Sequence, residues 1–338
     1  MESFIGRKLV TLTRLNHKSL IAAILLILTA AFTSVAFPLA TYTLTLASFG
    51  LAHVLTELRY VNSRFNQRLN IDLQRKIFVL LLVIVNLRIS QLLGVINAST
   101  SVPLELICVI GLVILVVPIL KIKDWKLAIL GILVCTILSV GVFWIPTLMM
   151  LLLAVLHNLT PIGFIAEKLR GLERKFALSI CLIVFVLIPS IIISGYPYHY
   201  LSSLNLVAPS ANILQAGNLQ LHLGAFIPQQ LHESFIAIHA FSAAVFLQCM
   251  HYAVVLGVLP NWERNTKNNF LLWNRQSIFE KVVIFLSTLI FIYFAQSFTD
   301  ARKLYSIAAA VHAWVEFPIL LLALAVPAEE NHNLINNQ

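Results

Sequence analysis

Long apolar blocks alternate with short polar or basic breaks along nearly the whole chain. A helix needs roughly 20 apolar residues to cross a bilayer. On that scale the pattern predicts about ten transmembrane helices, over 20–37, 39–60, 77–95, 104–120, 127–145, 147–165, 176–194, 231–259, 282–298 and 304–326. Pro38 and Pro146 separate neighbouring blocks and mark tight turns, because proline starts a helix readily and cannot continue one. The expected fold class is all-α, a polytopic integral membrane protein whose residues 19–326 form a single helical domain.

The charges orient this layout. Twenty of the 23 Lys and Arg fall in breaks on one side, among them Arg59, Arg64, Arg68, Arg75 and Lys76 after the second block. The opposite side carries Arg302 and Lys303, and Arg88 lies inside the third block. Basic residues concentrate on the cytoplasmic side of membrane proteins. Both termini are therefore expected in the cytoplasm, as a basic segment 1–18 and a polar, disordered tail 327–338. The start of the chain resembles the basic region of a signal peptide, but the block behind it is long enough to span and is read as a retained first helix. The longest outer break, 195–230, has no Lys, Arg, Asp or Glu. It is either an interfacial or re-entrant cap or an ordinary folded loop.

Composition supports the membrane reading. Of 338 residues, 59% are hydrophobic and 11% charged, which excludes an ordinary soluble domain of this length. The net charge of +9 follows the topology and does not point to nucleic acid. Membrane lipids are the expected surroundings, in a cell or inner membrane. Cys108, Cys135, Cys181 and Cys249 sit singly inside apolar blocks. They form neither a disulfide framework nor a metal-spaced pair and are read as small core residues.

Ionisable groups inside the apolar blocks are costly and mark function by default. Two blocks carry His-x-x-x-Glu, as His53 with Glu57 and His312 with Glu316. On a helix that spacing puts both side chains on one face. His157, His239 and His251 also fall inside blocks. His53 lies 11 residues before Arg64, His157 13 before Arg170, His251 13 before Arg264 and His312 15 before Pro327. At 1.5 Å per residue these four agree in depth to within about 6 Å, whereas His239 lies roughly 18 Å further out.

Four imidazoles and two carboxylates in one layer suit a first-row metal ion. His53, His157, His251 and His312 are the expected ligands. Glu57 and Glu316 would complete the site, take part in catalysis or orient the ligand rings. The bland alternative is a set of interhelical hydrogen bonds, which also suffices for His239. Arg88 is read as a partner of Glu57 or Glu316, or as a substrate-binding cation. His17, His199, His222, His232 and His332 lie in terminal, loop or edge positions and are given no role.

Gly50-Leu51-Ala52-His53, with Glu57 four residues on, resembles the Gly-Leu-x-His-Gly-x-x-Asp stretch of the Brp/Blh family of membrane β-carotene dioxygenases. Val54 stands where that family has Gly, and Glu57 where it has Asp, so the resemblance covers about eight residues. It implies a polytopic enzyme that cleaves carotene to retinal, with non-haem iron held by histidines from several spans. His53 would be a ligand and Glu57 its neighbour.

Three functions remain open on the sequence. The first is a membrane-embedded non-haem iron oxygenase holding Fe(II) and acting on a lipid-soluble small molecule such as a carotenoid. The second is a transporter or proton relay that uses the buried His and Glu. The third is a b-type haem electron-transfer protein. Zinc is a further candidate for the metal.

Overall fold

The computed structural model describes residues 17–65, 69–123, 125–262 and 276–325. The basic segment expected over 1–18, from 1 to 16, and the tail expected over 327–338 lie outside the described residues, as do Arg68, Arg264, Lys267 and Arg275. Every regular element among the described residues is helical. In chain order they are α1 (His17–Ala36), α2 (Pro38–Phe65), α3 (Ile71–Leu92), α4 (Ala98–Lys123), α5 (Trp125–Trp144), α6 (Pro146–His157), α7 (Thr160–Lys168), α8 (Gly171–Leu182), α9 (Ile188–Ile193), α10 (Tyr196–Ser203), α11 (Gln220–Leu223), α12 (Ile236–Gly257), α13 (Gln276–Gln296) and α14 (Phe298–Ala325).

Eight helical stretches are long and apolar enough to cross a membrane, nine if the bent α6–α7 pair is one span. This fits a multi-pass membrane protein. The expected third span exists as the 22-residue α3. It falls outside the apolar class because Asp72, Arg75, Lys76 and Arg88 lie along it. The break between the expected blocks 77–95 and 104–120 is largely helix, from Ala98. The Asn97 side chain accepts from the Thr100 amide at 3.0 Å and starts the helix early.

Three helices sit at the centre. In α2, α12 and α14, 61, 67 and 56% of the span is buried, against 11–39% for the other five. The outer helices present Leu, Ile and Val outward, as a lipid-facing surface would. The three central helices are the ones that carry His53, His251 and His312.

The expected span 147–165 is broken. Helices α6 and α7 meet at 41°, immediately after His157. Pro161 explains the break: it has no amide hydrogen, and its ring clashes with the carbonyl four residues back, which belongs to His157. The Thr160 hydroxyl donates to that freed carbonyl at 2.8 Å. The fourth histidine thus hangs from a helix end beside α14.

The expected basic loop after residue 60 also differs. Helix α2 continues to Phe65 and buries Arg64. Its Nε and Nη2 donate to Glu167 of α7 at 3.1 and 3.0 Å. At the opposite end, 195–230 folds as an ordered cap with short helices α10 and α11. Leu214, Ala216, Leu219, Leu223 and Ile227 pack against Leu39, Tyr42, Leu46 and Phe241. Two backbone bonds fasten this cap to the α1–α2 turn: the Ala208 amide to Ala36 O at 2.8 Å and the Leu39 amide to Pro209 O at 3.4 Å.

Candidate metal centre

His53, Glu57, His157, His251 and His312 converge in one buried group. One ligand atom from each lies within 4.8 Å of all the others. The residues come from α2, the end of α6, α12 and α14. Equal depth along four helices was visible in the sequence, and the packing of those helices turns it into contact.

Hydrogen bonds assign the lone pairs of two of the imidazoles. His53 donates from Nδ1 to the Phe49 carbonyl at 3.4 Å, which leaves Nε2 as an acceptor. His157 donates from Nδ1 to Glu316 Oε2 at 2.9 Å, which likewise leaves its Nε2 as an acceptor. Both free Nε2 atoms face His312 Nε2, at 3.1 and 3.0 Å. One hydrogen on His312 can serve one of these contacts. The other then sets lone pair against lone pair, unless a cation lies between them.

The spacing fits a metal ion. Ligands held about 2.0–2.1 Å from one ion are separated by roughly 2.9–3.4 Å, between right-angled and tetrahedral arrangements. The observed 3.0 and 3.1 Å fall in that range. Several other polar atoms here are also unsatisfied. Glu57 Oε1, His251 Nδ1, His312 Nδ1 and Glu316 Oε1 are buried without a hydrogen-bond partner. Each such orphan costs about 1–3 kcal/mol, and a cation would relieve those that ligate it. Glu57 Oε2 lies 3.3 Å from His251 Nε2. Behind the ligand atoms, Glu316 orients His157 in the arrangement by which carboxylates fix metal-binding imidazoles. The Tyr252 ring lies 4.1 Å from the His53 ring and restrains it.

A cavity of about 260 Å³ opens onto this group. His53, His157 and His312 line its inner end, while Arg302, Tyr42, Ala225 and Phe226 line its other end under the cap. His251 and Glu57 are fully buried and are not among the lining residues.

The chain matches no protein-family model, no curated protein and no solved structure.

Two expected placements change. Arg88 pairs with neither Glu57 nor Glu316. Its Nε lies 2.7 Å from Glu105 Oε2, and its Nη2 donates to Glu105 Oε1 at 2.8 Å. The short α3–α4 turn sets the two residues level, and Trp314 of α14 adds a 2.6 Å bond to the same carboxylate. Arg88 does line the cavity, but with its charge already matched. The second change concerns His222, which was given no role. It is buried under the cap, donates from Nε2 to Ala216 O at 2.7 Å, and accepts from Arg302 Nη1 at 3.2 Å. Burial, with the nearby guanidinium adding to it, holds this imidazole below its usual range against the opposing bond to Ala216. His239 stays apart from the group and packs against Tyr198 and His199.

Sequence reasoning missed Glu105, Arg302 and Tyr252. Glu105 carried a signal, an acid at the edge of an apolar block. Tyr252, next to His251, carried none that distinguishes it from packing.

Proposed function

We propose that this protein is a membrane-embedded, metal-dependent oxygenase acting on a lipid-soluble substrate. The observation that carries the reading is the meeting of three imidazole Nε2 atoms, two of them free acceptors, at the end of a cavity. His53, His157, His251 and His312 would hold the ion, with Glu57 beside them. Imidazole and carboxylate together suit iron(II), which would supply redox chemistry toward dioxygen. The protein's own contribution is positional. Glu316 fixes the tautomer of His157, Tyr252 holds the His53 ring, and the apolar walls keep water from the inner end. Arg88, tied to Glu105 and Trp314, braces α14 beside the ligands rather than binding substrate. The resemblance around His53 makes carotenoid or other polyene cleavage the reaction to test.

In the topology that goes with this reading, ten helices cross the bilayer and both termini are cytoplasmic. Helix α3 becomes the tenth span because Glu105 compensates Arg88 within the membrane. The decisive measurement is metal content of detergent-purified protein. One iron per chain in the wild type, lost in His157→Ala, is the expected result. Folded protein that holds no metal when supplied with iron(II) overturns the reading.

One observation favours a second function. Glu316, His157, His312 and His53 form a continuous file with steps of 2.9, 3.0 and 3.1 Å. Such a file could relay protons. In that case reconstituted vesicles would show proton flux abolished by His312→Ala, without any bound metal. No comparable observation favours haem, since nitrogens 3.0–3.1 Å apart leave no slot for a macrocycle between them.

A further inference from the structure

We infer that the cavity takes a single-chain amphiphile with an oxyanion head, carboxylate or phosphate, held by Arg302 while its chain runs toward the imidazole group. The inference narrows the lipid-soluble substrate of the proposed oxygenase to one with a charged end. It rests on that reading for what lies at the inner end; the binding of the head does not depend on a metal.

Two arginines among the described residues meet carboxylates. Arg64 is matched by Glu167 and Arg88 by Glu105. Arg302 has no carboxylate in contact among the described residues. The nearby Asp300 is taken by Lys303 and Ser297, each at 2.9 Å. The contacts of Arg302 are the neutral acceptor His222 Nδ1 at 3.2 Å and the Tyr42 ring at 5.8 Å. The bond from His222 Nε2 to Ala216 O makes Nδ1 an acceptor. His222 therefore aims the guanidinium without neutralising it. The remaining donors form a fork suited to two oxygens of one head group.

The cavity is narrow along its length. Between Arg302 and His312, α14 lines it with Tyr305 and with the small Ser306, Ala309 and Ala310. Leu46, Met150 and Ala154 supply apolar walls from α2 and α6. At about 260 Å³ the space lies below the usual 300–1,000 Å³ of ligand pockets, so it suits one slender chain better than a two-chain lipid. Ten residues of helix separate Arg302 from His312, roughly 15 Å. That is about a dozen carbon–carbon bonds in an extended chain.

The test uses full-length protein in nanodiscs and radiolabelled palmitate, with hexadecyl phosphate, palmitate methyl ester and β-carotene as unlabelled competitors. Saturable palmitate binding is expected, and the ester should compete at least ten-fold more weakly. Comparison of palmitate with hexadecyl phosphate tells which oxyanion the site prefers. Arg302→Gln should erase the preference for the acid over the ester. Arg302→Lys keeps the charge but not the fork, and should weaken palmitate several-fold while leaving the ester unchanged; it also covers the case in which Arg302→Gln does not fold. His312→Ala should keep head-group binding while losing metal, so failure of the metal reading is seen separately. A palmitate analogue with a photoreactive carbon about a dozen bonds from its head should label peptides containing Met150 or Ala154. Equal binding of acid and ester, undiminished preference in Arg302→Gln, or displacement by β-carotene but not by hexadecyl phosphate would each overturn the inference.

Discussion

Two buried polar groups in this protein differ in what they leave over. At the inner end of α2, Arg64 and Glu167 close on each other with two hydrogen bonds of 3.0 and 3.1 Å. Fork meets carboxylate, and the charges cancel. Further along the same helix, four imidazoles and a carboxylate meet with two Nε2 acceptors and four orphaned polar atoms around them. Both groups tie α2 to a neighbouring helix. A closed pair accounts for itself as structure, whereas a group with surplus lone pairs accounts for itself when it holds something. The same contrast separates Arg88, saturated by Glu105, from Arg302, which is not.

The largest expected effect comes from the middle of the open group. His312→Ala removes the ring that faces both free acceptors. Metal analysis should fall from one ion per chain to none. The variant should also lose the thermal stabilisation that added metal gives the wild type, about 4 kcal/mol when the ion is at 1,000 times its dissociation constant. Metal retained in this variant would remove the distinction drawn above.

Breaking the closed pair should do the reverse. Glu167→Ala leaves Arg64 buried and unpaired, a change that costs about 3–5 kcal/mol. Denaturant or thermal melts should show that loss, while the folded fraction keeps its full metal content. Loss of metal from correctly folded Glu167→Ala would mean that the two groups act as one.

A smaller effect sharpens the contrast. Glu316→Gln keeps an acceptor for His157 Nδ1 but removes the charge behind it. Metal affinity should weaken by about 10–100-fold, read by competition with a chelator, with little change in melting temperature. A change confined to stability would assign Glu316 to packing.

The smallest effect concerns the cap. His222 is buried neutral beside Arg302 and Tyr42, and its folded-state affinity for protons is lowered. The unfolded state then binds more protons, so the stability from burying it is complete above the unfolded value of about 6.5. It is lost as pH falls through the lower folded value. Hydrogen-exchange protection of residues 204–235, corrected for the intrinsic pH dependence of exchange, should fall as pH drops below that point, and His222→Asn should flatten the dependence.

Much of this was legible in the sequence, for identifiable reasons. Apolar block length alone gave the helices, because helix is the arrangement that satisfies the backbone inside a long apolar segment. Counting residues from the basic ends placed His53, His157, His251 and His312 at one depth. Counting could not supply rotation about each helix axis, which decides whether side chains at one depth face each other. The break at His157 was within reach, since Pro161 marks the carbonyl four residues earlier. Arg64 was misplaced because a basic residue near a helix end reads the same whether it faces water or a buried acid 103 residues away. Arg302 and His222 are 80 residues apart and follow no common period. Their meeting depends on how the cap folds back.

The order of the ligands along the chain sets a schedule for biogenesis. His53 and His157 are made in the first half of the chain, His251 well after them, and His312 and Glu316 on the last of the described helices. Until α14 is made, α2 and α6 carry imidazoles, and α2 a carboxylate as well, without their partners on that helix. Those helices are therefore candidates for retention by insertion machinery or a membrane chaperone. Under the proposed metal reading, capture of an ion would have to follow the synthesis of α14.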